Sequence, residues 1–476
     1  MANSNGPEQL KGENPFAGDS DRQSFRAFLG RLYDNGDVYH VPRTVSTRFE
    51  ISAFLSLLSD GPAVYFADVE NHTIPVVGNV LSTQANIALG LNASIGSIQT
   101  KLREAIDHRI DPIAVENAPV QDMLVEHPDL ATLPFPYFFE HETGPYITAG
   151  TIVARDPETG ARNFSIARLK PLGGNRAFIG IAPNHHLAIL ARKAQSLGEK
   201  LPIAVSLGNH PALTIASAFY LALGDDELGV AGTLLGEPVQ LAACVTIPLE
   251  APAHSEIVLE GTIDPEEVVD EGRVSEFHGL YEDYKSGPVV TFNALTHRLD
   301  PILQVIQPGY STEHLAIGAV AIGATVANYV KQSVSALSAV EITLGGSGRL
   351  HAVVALHAPK PGDARKAMFA TWASTNLIKQ VTVVDSDINV GDPVHVEWAM
   401  ATRMKADRDI LIVPAVRADR AEPLEADGTI PKLGIDACIN KADRIDFRLA
   451  QAPPDILRAV KDELGEMQTN DRLAFE

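Results

Sequence analysis

Two carboxylates five residues apart, in the run Glu271-Gly-Arg-Val-Ser-Glu276, are the residue types for acid–base work, and their segment reads as a loop containing a glycine. A second run, Asn163-Phe-Ser-Ile-Ala-Arg168, is apolar enough for a half-buried strand yet carries Asn163, Ser165 and Arg168. The guanidinium brings a fixed charge and a planar fork suited to carboxylates. His185-His186 follows Pro183 where a helix should start. Taken one by one, each feature has a plain structural reading: a solvated acidic loop, a structural ion pair, a helix cap. Other chemistries lack their signatures. There is no His-Glu-x-x-His and no P-loop lysine, and Gly345-Gly-Ser-Gly348 is followed by Arg349 where a nucleophile elbow needs its second glycine.

The elements that must hold these residues follow from periodicity. Phe25, Phe28, Leu29 and Leu32 recur at helical spacing, with further helices expected over 51–58 and 98–110 and strands over 63–69 and 74–80. Residues 112–136 form a proline-rich connection. Strand-like runs over 146–155, 163–170 and 176–181, separated by turn residues, predict an antiparallel meander, and more strands follow over 203–207, 239–247, 256–260 and 289–295. Simple alternation along 163–168 sends Asn163 and Ser165 to one face and Arg168 to the other, so a bulge is required if all three serve one site. From about residue 315 a Gly/Ala-rich helix leads into alternating strands and helices, the pattern of a partly parallel α/β sheet. The expected organisation is an α+β multidomain chain: a disordered lead-in over 1–19, an N-terminal domain over 20–115, a mostly β central domain over 116–318, and a linker helix with an α/β domain over 319–476.

The chain has 476 residues, 45% hydrophobic and 21% charged, which excludes global disorder. Its net charge of −22 repels nucleic acid and anionic lipid, so an anionic ligand needs a local cation. Cys244 and Cys438 are the only cysteines, too few for a disulfide scaffold or a cysteine metal site. No signal peptide or membrane span is expected, and the chain reads as cytoplasmic.

Taken together the runs resemble the UbiD-like decarboxylase family. The resemblance rests on Asn163–Arg168, Pro183-Asn-His-His186, Ser255-Glu-Ile-Val-Leu-Glu-Gly261 and Glu271-Gly-Arg-Val-Ser-Glu-Phe-His-Gly279. It continues in Val384-Asp-Ser-Asp-Ile-Asn389, Trp398-Ala-Met-Ala-Thr-Arg403 and Leu433-Gly-Ile-Asp-Ala437. It implies a central split β-barrel of flavin reductase-like type and a C-terminal α/β domain that forms a homodimer or higher oligomer. It also implies prenylated FMN, supplied by a flavin prenyltransferase, with Mn²⁺ or Mg²⁺ and K⁺.

Carried over by that resemblance, Asn163, His186 and Glu227 match the metal ligands, and two oxygens with one imidazole suit such an ion. Ser165, Ile166, Ala167, Arg168, His185, Ser217 and Phe219 match positions lining the flavin. His185 replaces a usual glutamine, and Phe219 stands where a smaller apolar side chain can be found. Ala373-Ser374 stand where some members place a lysine. Arg168, Glu271 and Glu276 match the catalytic set: Arg168 holds Glu271 ionised and helps receive the substrate carboxylate, and Glu276 delivers the proton, with a raised pKa expected against an apolar flavin face. Gln307, His314 and Ile317 match the substrate-selecting segment. With few cations there, the expected substrate is a flat heteroaromatic monocarboxylate of the indole-3- or pyrrole-2-carboxylate type, decarboxylated reversibly with release of CO₂. A prenylated hydroxybenzoate of quinone biosynthesis, a cinnamate-type acid and a non-enzymatic flavin- or metal-binding assembly role stand as alternatives.

Overall fold

Ser24 accepts the N–H of Arg26 and so caps helix α1 (Phe25–Asp34), whose buried stripe Phe25, Phe28, Leu29 and Leu32 is the one the helical spacing predicts. This is a computed structural model, and it describes residues 14–283, 286–443, 445–447 and 450–464. The expected lead-in over 1–19 lies outside the described residues as far as 13. From 14 onward the expectation is corrected: Phe16 is buried edge-on against Tyr65, and Asp19 accepts from Ser24 at 2.6 Å and pairs with Arg298 at 2.6 Å.

The chain divides between Ile322 and Gly323 into two compact units. In the first, the small sheet Val38–His40, Ala63–Phe66, Val76–Gly78 is completed by Leu303–Gln304, which joins it in parallel from more than 200 residues downstream. Ile113–Val115 likewise pairs in parallel with Gln240–Ala243. The segments expected as separate N-terminal and central domains are therefore interlocked by strand exchange. Helix α2 (Glu50–Leu57) packs beside the first sheet, and Ser52 on it donates to the carbonyl of Phe138 at 2.7 Å.

The large sheet holds β1 (Thr151–Arg155), β2 (Arg162–Ile166), β3 (Arg168–Gly173), β4 (Arg176–Gly180), β5 (Leu201–Leu207), β6 (Ile257–Asp270) and β7 (Ser286–His297). They lie in the order β2-β1-β5-β6-β7-β4-β3, and an eighth strand, Met123–Glu126, pairs with β7. The expected meander is corrected. β1–β2 and β3–β4 are two antiparallel hairpins at opposite edges of the sheet. The single strand expected over 163–170 breaks at Ala167, where the chain passes straight from one edge to the other. Because one residue spans that passage, the two edges of this sheet are brought together at Ala167.

The Ser255–Gly261 run proves structural. Glu256 is fully buried and grips Arg26 in a bidentate pair, and Glu260 accepts the N–H groups of Val245 and Thr246 at 2.8 and 2.6 Å. Helix α3 (His186–Ser196) is capped by His185, short α4 (Pro211–Ala216) by His210 and α5 (Glu227–Leu235) by Asp226. Helix α6 (Thr312–Ser333) closes the unit and runs across the division. Its Glu313 accepts the N–H groups of Asn79 and Leu81, both at 2.9 Å.

The second unit is a five-stranded sheet in the order Leu337–Ile342, His351–Leu356, Gln380–Asp385, Thr429–Ala437, Ile410–Arg417, with three central parallel strands and antiparallel edges. Its core includes Val353, Val384, Ile388, Val396 and Ala437. Arg403, buried, joins Asp387 at 2.6 Å and Asp385 at 3.2 Å and lies over the Trp398 ring. Two of the quoted runs thus meet in one ion cluster. Among the described residues no helix is long and apolar enough to cross a membrane.

Candidate active site

The break at Ala167 resolves the alternation conflict along 163–168. On β2, Asn163 and Ser165 share a face, and Asn163 Nδ2 donates to Ser165 Oγ at 3.1 Å. Past the break, Arg168 opens β3 opposite Gly180. The absence of a side chain there has a use: a Cβ on Gly180 would lie 2.9 Å from Arg168 Nε and 3.0 Å from Cζ, so the guanidinium lies across the bare backbone.

Arg168 forms a fork with Glu271, Nε to Oε1 at 2.7 Å and Nη2 to Oε2 at 2.8 Å, and its Nη1 approaches Glu276 Oε1 at 3.4 Å. Glu271 is 0% exposed, so the solvated-loop reading of this run is overturned for it. Glu276 keeps a side-chain exposure of 13%, and its Oε2 accepts the N–H of Phe277 at 3.3 Å. A charge-assisted bidentate pair offsets the cost of burying that carboxylate.

A second cluster surrounds Asn163. His186 Nδ1 stands 3.1 Å from Asn163 Oδ1, and Glu227 Oε2 accepts the N–H of Phe164 at 2.8 Å. Burial pushes the Glu227 carboxyl up to about 8, with Asp225 and Asp226 adding to the effect and backbone donors opposing it. Arg109 and Arg162 pair with those two aspartates, at 3.0 and 2.5 Å. A buried carboxylate beside an amide oxygen and an imidazole is a fitting set for a hard or borderline cation, whose charge would hold Glu227 ionised. Among the described residues no group of three or more His, Cys, Asp or Glu forms a metal-binding cluster.

The positions expected to line a flavin gather around the same segment. Ile166 N–H donates to the Ser217 carbonyl at 3.2 Å, Ser217 Oγ turns back to Thr214, and Phe219 is buried. His185 accepts the Leu187 N–H at 3.2 Å, and burial together with His186 pushes its pKa down to about 4, so the ring is neutral at pH 7. The capping reading of His185 is thus correct, and the residue also lies against Ile166. Six consecutive residues, 163–168, reach His186, Glu227, Ser217, Glu271 and Glu276.

The substrate-segment residues are only partly together. A cavity of about 190 Å³ borders the loop that carries Glu276, with Ser56, Ser275, Tyr281, Gln307, Tyr310 and Ser311 in its wall. Gln307 belongs to it, whereas His314 bonds the Gly309 carbonyl at 3.1 Å and Ile317 is buried on α6, neither lining the cavity. The Gln307 amide donates to Ser52 and Ser56 at 3.1 and 3.0 Å, and its Oε1 has no hydrogen-bond partner among the described residues. No described residue of the wall is Lys, Arg or His.

Sequence reasoning missed Gly180, and with it Glu142, which accepts the Ser275 N–H, and Lys170, which donates to the Glu271 carbonyl. Lys170 shares the face of Arg168 by strand alternation, and two cations at i and i+2 in an acidic chain were the available signal.

Comparison with known proteins decides the family. Residues 29–106, 113–311 and 316–437 match, in turn, the N-terminal, Rift-related and C-terminal domains of the family described as 3-octaprenyl-4-hydroxybenzoate carboxy-lyase, UbiD. The chain belongs to the UbiD family. As a UbiD-family protein it is a carboxy-lyase. It is 35% identical over 436 residues to the anhydromevalonate phosphate decarboxylase of Methanosarcina mazei, covering 91% of this chain and all of that protein. The enzyme of the same name from Methanothermobacter thermautotrophicus is 34% identical over 427 residues, 89% of this chain and 98% of that protein. Among solved structures, the UbiD-class enzyme HmfF from Pelotomaculum thermopropionicum in complex with FMN matches with a TM-score of 0.87 and 36% identity, over 92% of this chain and 99% of that one. An evolved dimeric form of HmfF in complex with prFMN gives 0.84 and 35%, over 91% and 98%.

Proposed function

We propose that this UbiD-family enzyme is a reversible, non-oxidative decarboxylase of a heteroaromatic monocarboxylic acid of the indole-3- or pyrrole-2-carboxylate type, working with prenylated FMN. The observation that carries the decarboxylase reading is the Arg168–Glu271–Glu276 set, one carboxylate locked in a fork and the other loosely held. When bound, the prenylated flavin supplies an electrophilic carbon that takes up the electron pair released as CO₂ leaves. Asn163, His186 and Glu227 would hold Mn²⁺ or Mg²⁺ for the cofactor phosphate, and K⁺ completes the expected cofactor set. Ser165, Ile166, Ala167, His185, Ser217 and Phe219 would line the ring. This reading includes a split-barrel form for the sheet whose edges meet at Ala167, and a homodimer.

In the reaction the ring–carboxylate bond breaks and a ring C–H bond forms. Arg168, held by Glu271, orients the incoming carboxylate and Glu276 together. Glu276 gives its proton to the carbon that CO₂ vacates and is reprotonated from solvent; in the reverse direction it removes that proton. The carboxylate meets a fixed cation, which answers the repulsion of the −22 field.

The heteroaromatic reading draws on the cavity beside Glu276. A wall of hydroxyls, one amide, Phe139 and Pro308, with no cation, fits an uncharged ring better than a second carboxylate or a phosphate. The 35% identity to anhydromevalonate phosphate decarboxylase favours a phosphorylated acid as the second reading.

The test is CO₂ release, without oxygen, by protein co-expressed with a flavin prenyltransferase. The acids are indole-3-, pyrrole-2- and furan-2-carboxylate, cinnamate, a hydroxybenzoate and anhydromevalonate phosphate. Release from the N–H heteroaromatics above the others supports the proposal. Release from the phosphorylated acid alone replaces it with the second reading.

A further inference from the structure

The six-residue segment that carries both glutamates, whose Arg273–Ser275 pairs antiparallel with Tyr281–Asp283, is also held at its two ends by groups outside the set described above. At its start, the Glu271 carbonyl accepts from Lys170 Nζ at 2.7 Å and from Thr143 Oγ1 at 3.1 Å, filling both lone pairs. Lys170 also donates to Thr143 Oγ1. Gly272, at φ +75°, follows directly, and a Cβ there would sit 3.0 Å from Thr143 Oγ1. At its end, Glu142 Oε1 accepts the N–H of Ser275 at 3.1 Å and its Oγ–H at 2.9 Å, one residue before Glu276. Glu142 is itself set in a tight turn, its other oxygen accepting the Phe139 N–H at 3.3 Å and its own N–H donating to the Phe139 carbonyl at 3.2 Å. Glu142, Lys170 and Ser275 are all less than a tenth exposed.

We infer that Glu142 is a positioning residue for the proton-carrying Glu276, and that with Thr143 and Lys170 it forms a clamp setting the span between the two glutamates. The physical argument is one of degrees of freedom. The fork fixes the Glu271 side chain on Arg168, but the 3.4 Å approach of Arg168 to Glu276 leaves the second carboxyl without a comparable hold. What places Glu276 is its backbone: its N–H donates to the Leu280 carbonyl at 3.0 Å, its carbonyl accepts the Gly279 N–H at 2.8 Å, and one residue earlier the chain is tied to Glu142. A buried carboxylate holding two donors of one residue is worth more than a neutral acceptor, and losing it leaves both donors unsatisfied. Displacements on the order of 1 Å at such a point cost about 100-fold in rate.

The inference rests on the reading of Glu276 as the proton carrier, and the test separates the two. In the flavin-loaded enzyme, amide hydrogen exchange over residues 272–277 reports the clamp, and turnover per bound flavin reports the role of Glu276. In Glu142→Ala the exchange should quicken and kcat should fall, each by about tenfold or more, with KM little changed. Glu142→Gln keeps an acceptor for Ser275 and should restore most of both. Ser275→Ala, a milder cut that keeps the N–H, should give an intermediate fall in kcat and serves if Glu142→Ala does not fold. Unchanged exchange in Glu142→Ala overturns the clamp. Quickened exchange with unchanged kcat overturns the link to Glu276 while leaving the clamp. A fall in kcat matched by lost flavin, or a Gln variant as poor as the Ala variant, overturns the positioning role.

Discussion

Arg168 binds both oxygens of Glu271, at 2.7 and 2.8 Å, but comes no closer than 3.4 Å to Glu276. The same guanidinium thus treats two carboxylates of one loop unequally, locking the buried one and leaving the partly exposed one room to move. Such inequality separates an anchor from a carrier, since a group that must gain and lose a proton cannot spend its life in a tight fork.

The two glutamates should therefore fail differently. Glu276→Gln should lose about 10²- to 10⁴-fold in turnover with its flavin content and melting temperature near those of the parent, because only proton transfer is removed. Glu271→Ala should lower stability as well, by about 3–5 kcal/mol, because Arg168 is left without its buried partner. Steady-state CO₂ release and urea denaturation on the same preparations check both, and equal stability loss in the two variants would contradict the assignment.

Gly180 offers a sharper probe of Arg168, since it alters no charged group. Alanine is compatible with its backbone, yet the new Cβ would come within 3.0 Å of the guanidinium and displace it. Gly180→Ala should cut turnover by about tenfold or more while shifting stability by roughly 1 kcal/mol. Parent-like kinetics would mean that the position of Arg168 across the bare strand is immaterial.

Metal dependence should track Asn163, His186 and Glu227. Glu227→Gln keeps an acceptor for the Phe164 N–H and so keeps α5 tied to β2, but loses the charge a divalent ion needs. Manganese retained after dialysis, read by elemental analysis, should drop by about tenfold or more in that variant and in His186→Ala, with chelator treatment of the parent giving the same loss of turnover. Full metal content in both variants would move the site elsewhere.

Stability should fall as pH rises through neutrality, partly through Glu313. Burial pushes its folded pKa up to about 7 from an ordinary value of 4.5, against the pull of the backbone donors at Leu81, Asn79 and Val80. The sign follows from the raised value: the contribution is intact below about pH 4.5 and is lost as pH climbs through about 7, at most about 3 kcal/mol. Urea midpoints between pH 5 and 8 should slope less in Glu313→Gln than in the parent, and parallel slopes would refute the assignment.

Much of the fold could be read from residue pattern because it is local. The Phe25–Leu32 stripe, the helix at Pro393–Arg403 and the parallel strands of the second unit follow from period and caps. Sheet order is not local, so nothing along 146–181 tells that two consecutive hairpins occupy opposite edges. The burial of Glu271 was equally hidden, because an acidic loop looks the same whether it faces water or an arginine. Asn163, His186 and Glu227 carry no shared spacing and were joined only through family resemblance. Gly180 and Glu142 act through contacts across the chain, which no window of sequence contains.

The strand Leu303–Gln304, which completes the first sheet from far downstream, has a consequence for synthesis. A ribosome that has released only the first hundred or so residues has made a sheet with an open edge at Val76–Gly78, and that edge stays unpaired until about 200 more residues emerge. Folding of the N-terminal segment is thereby tied to completion of the chain past residue 304. Nascent or truncated forms ending before it present that edge to other molecules, and should depend on chaperones more than the full-length chain does.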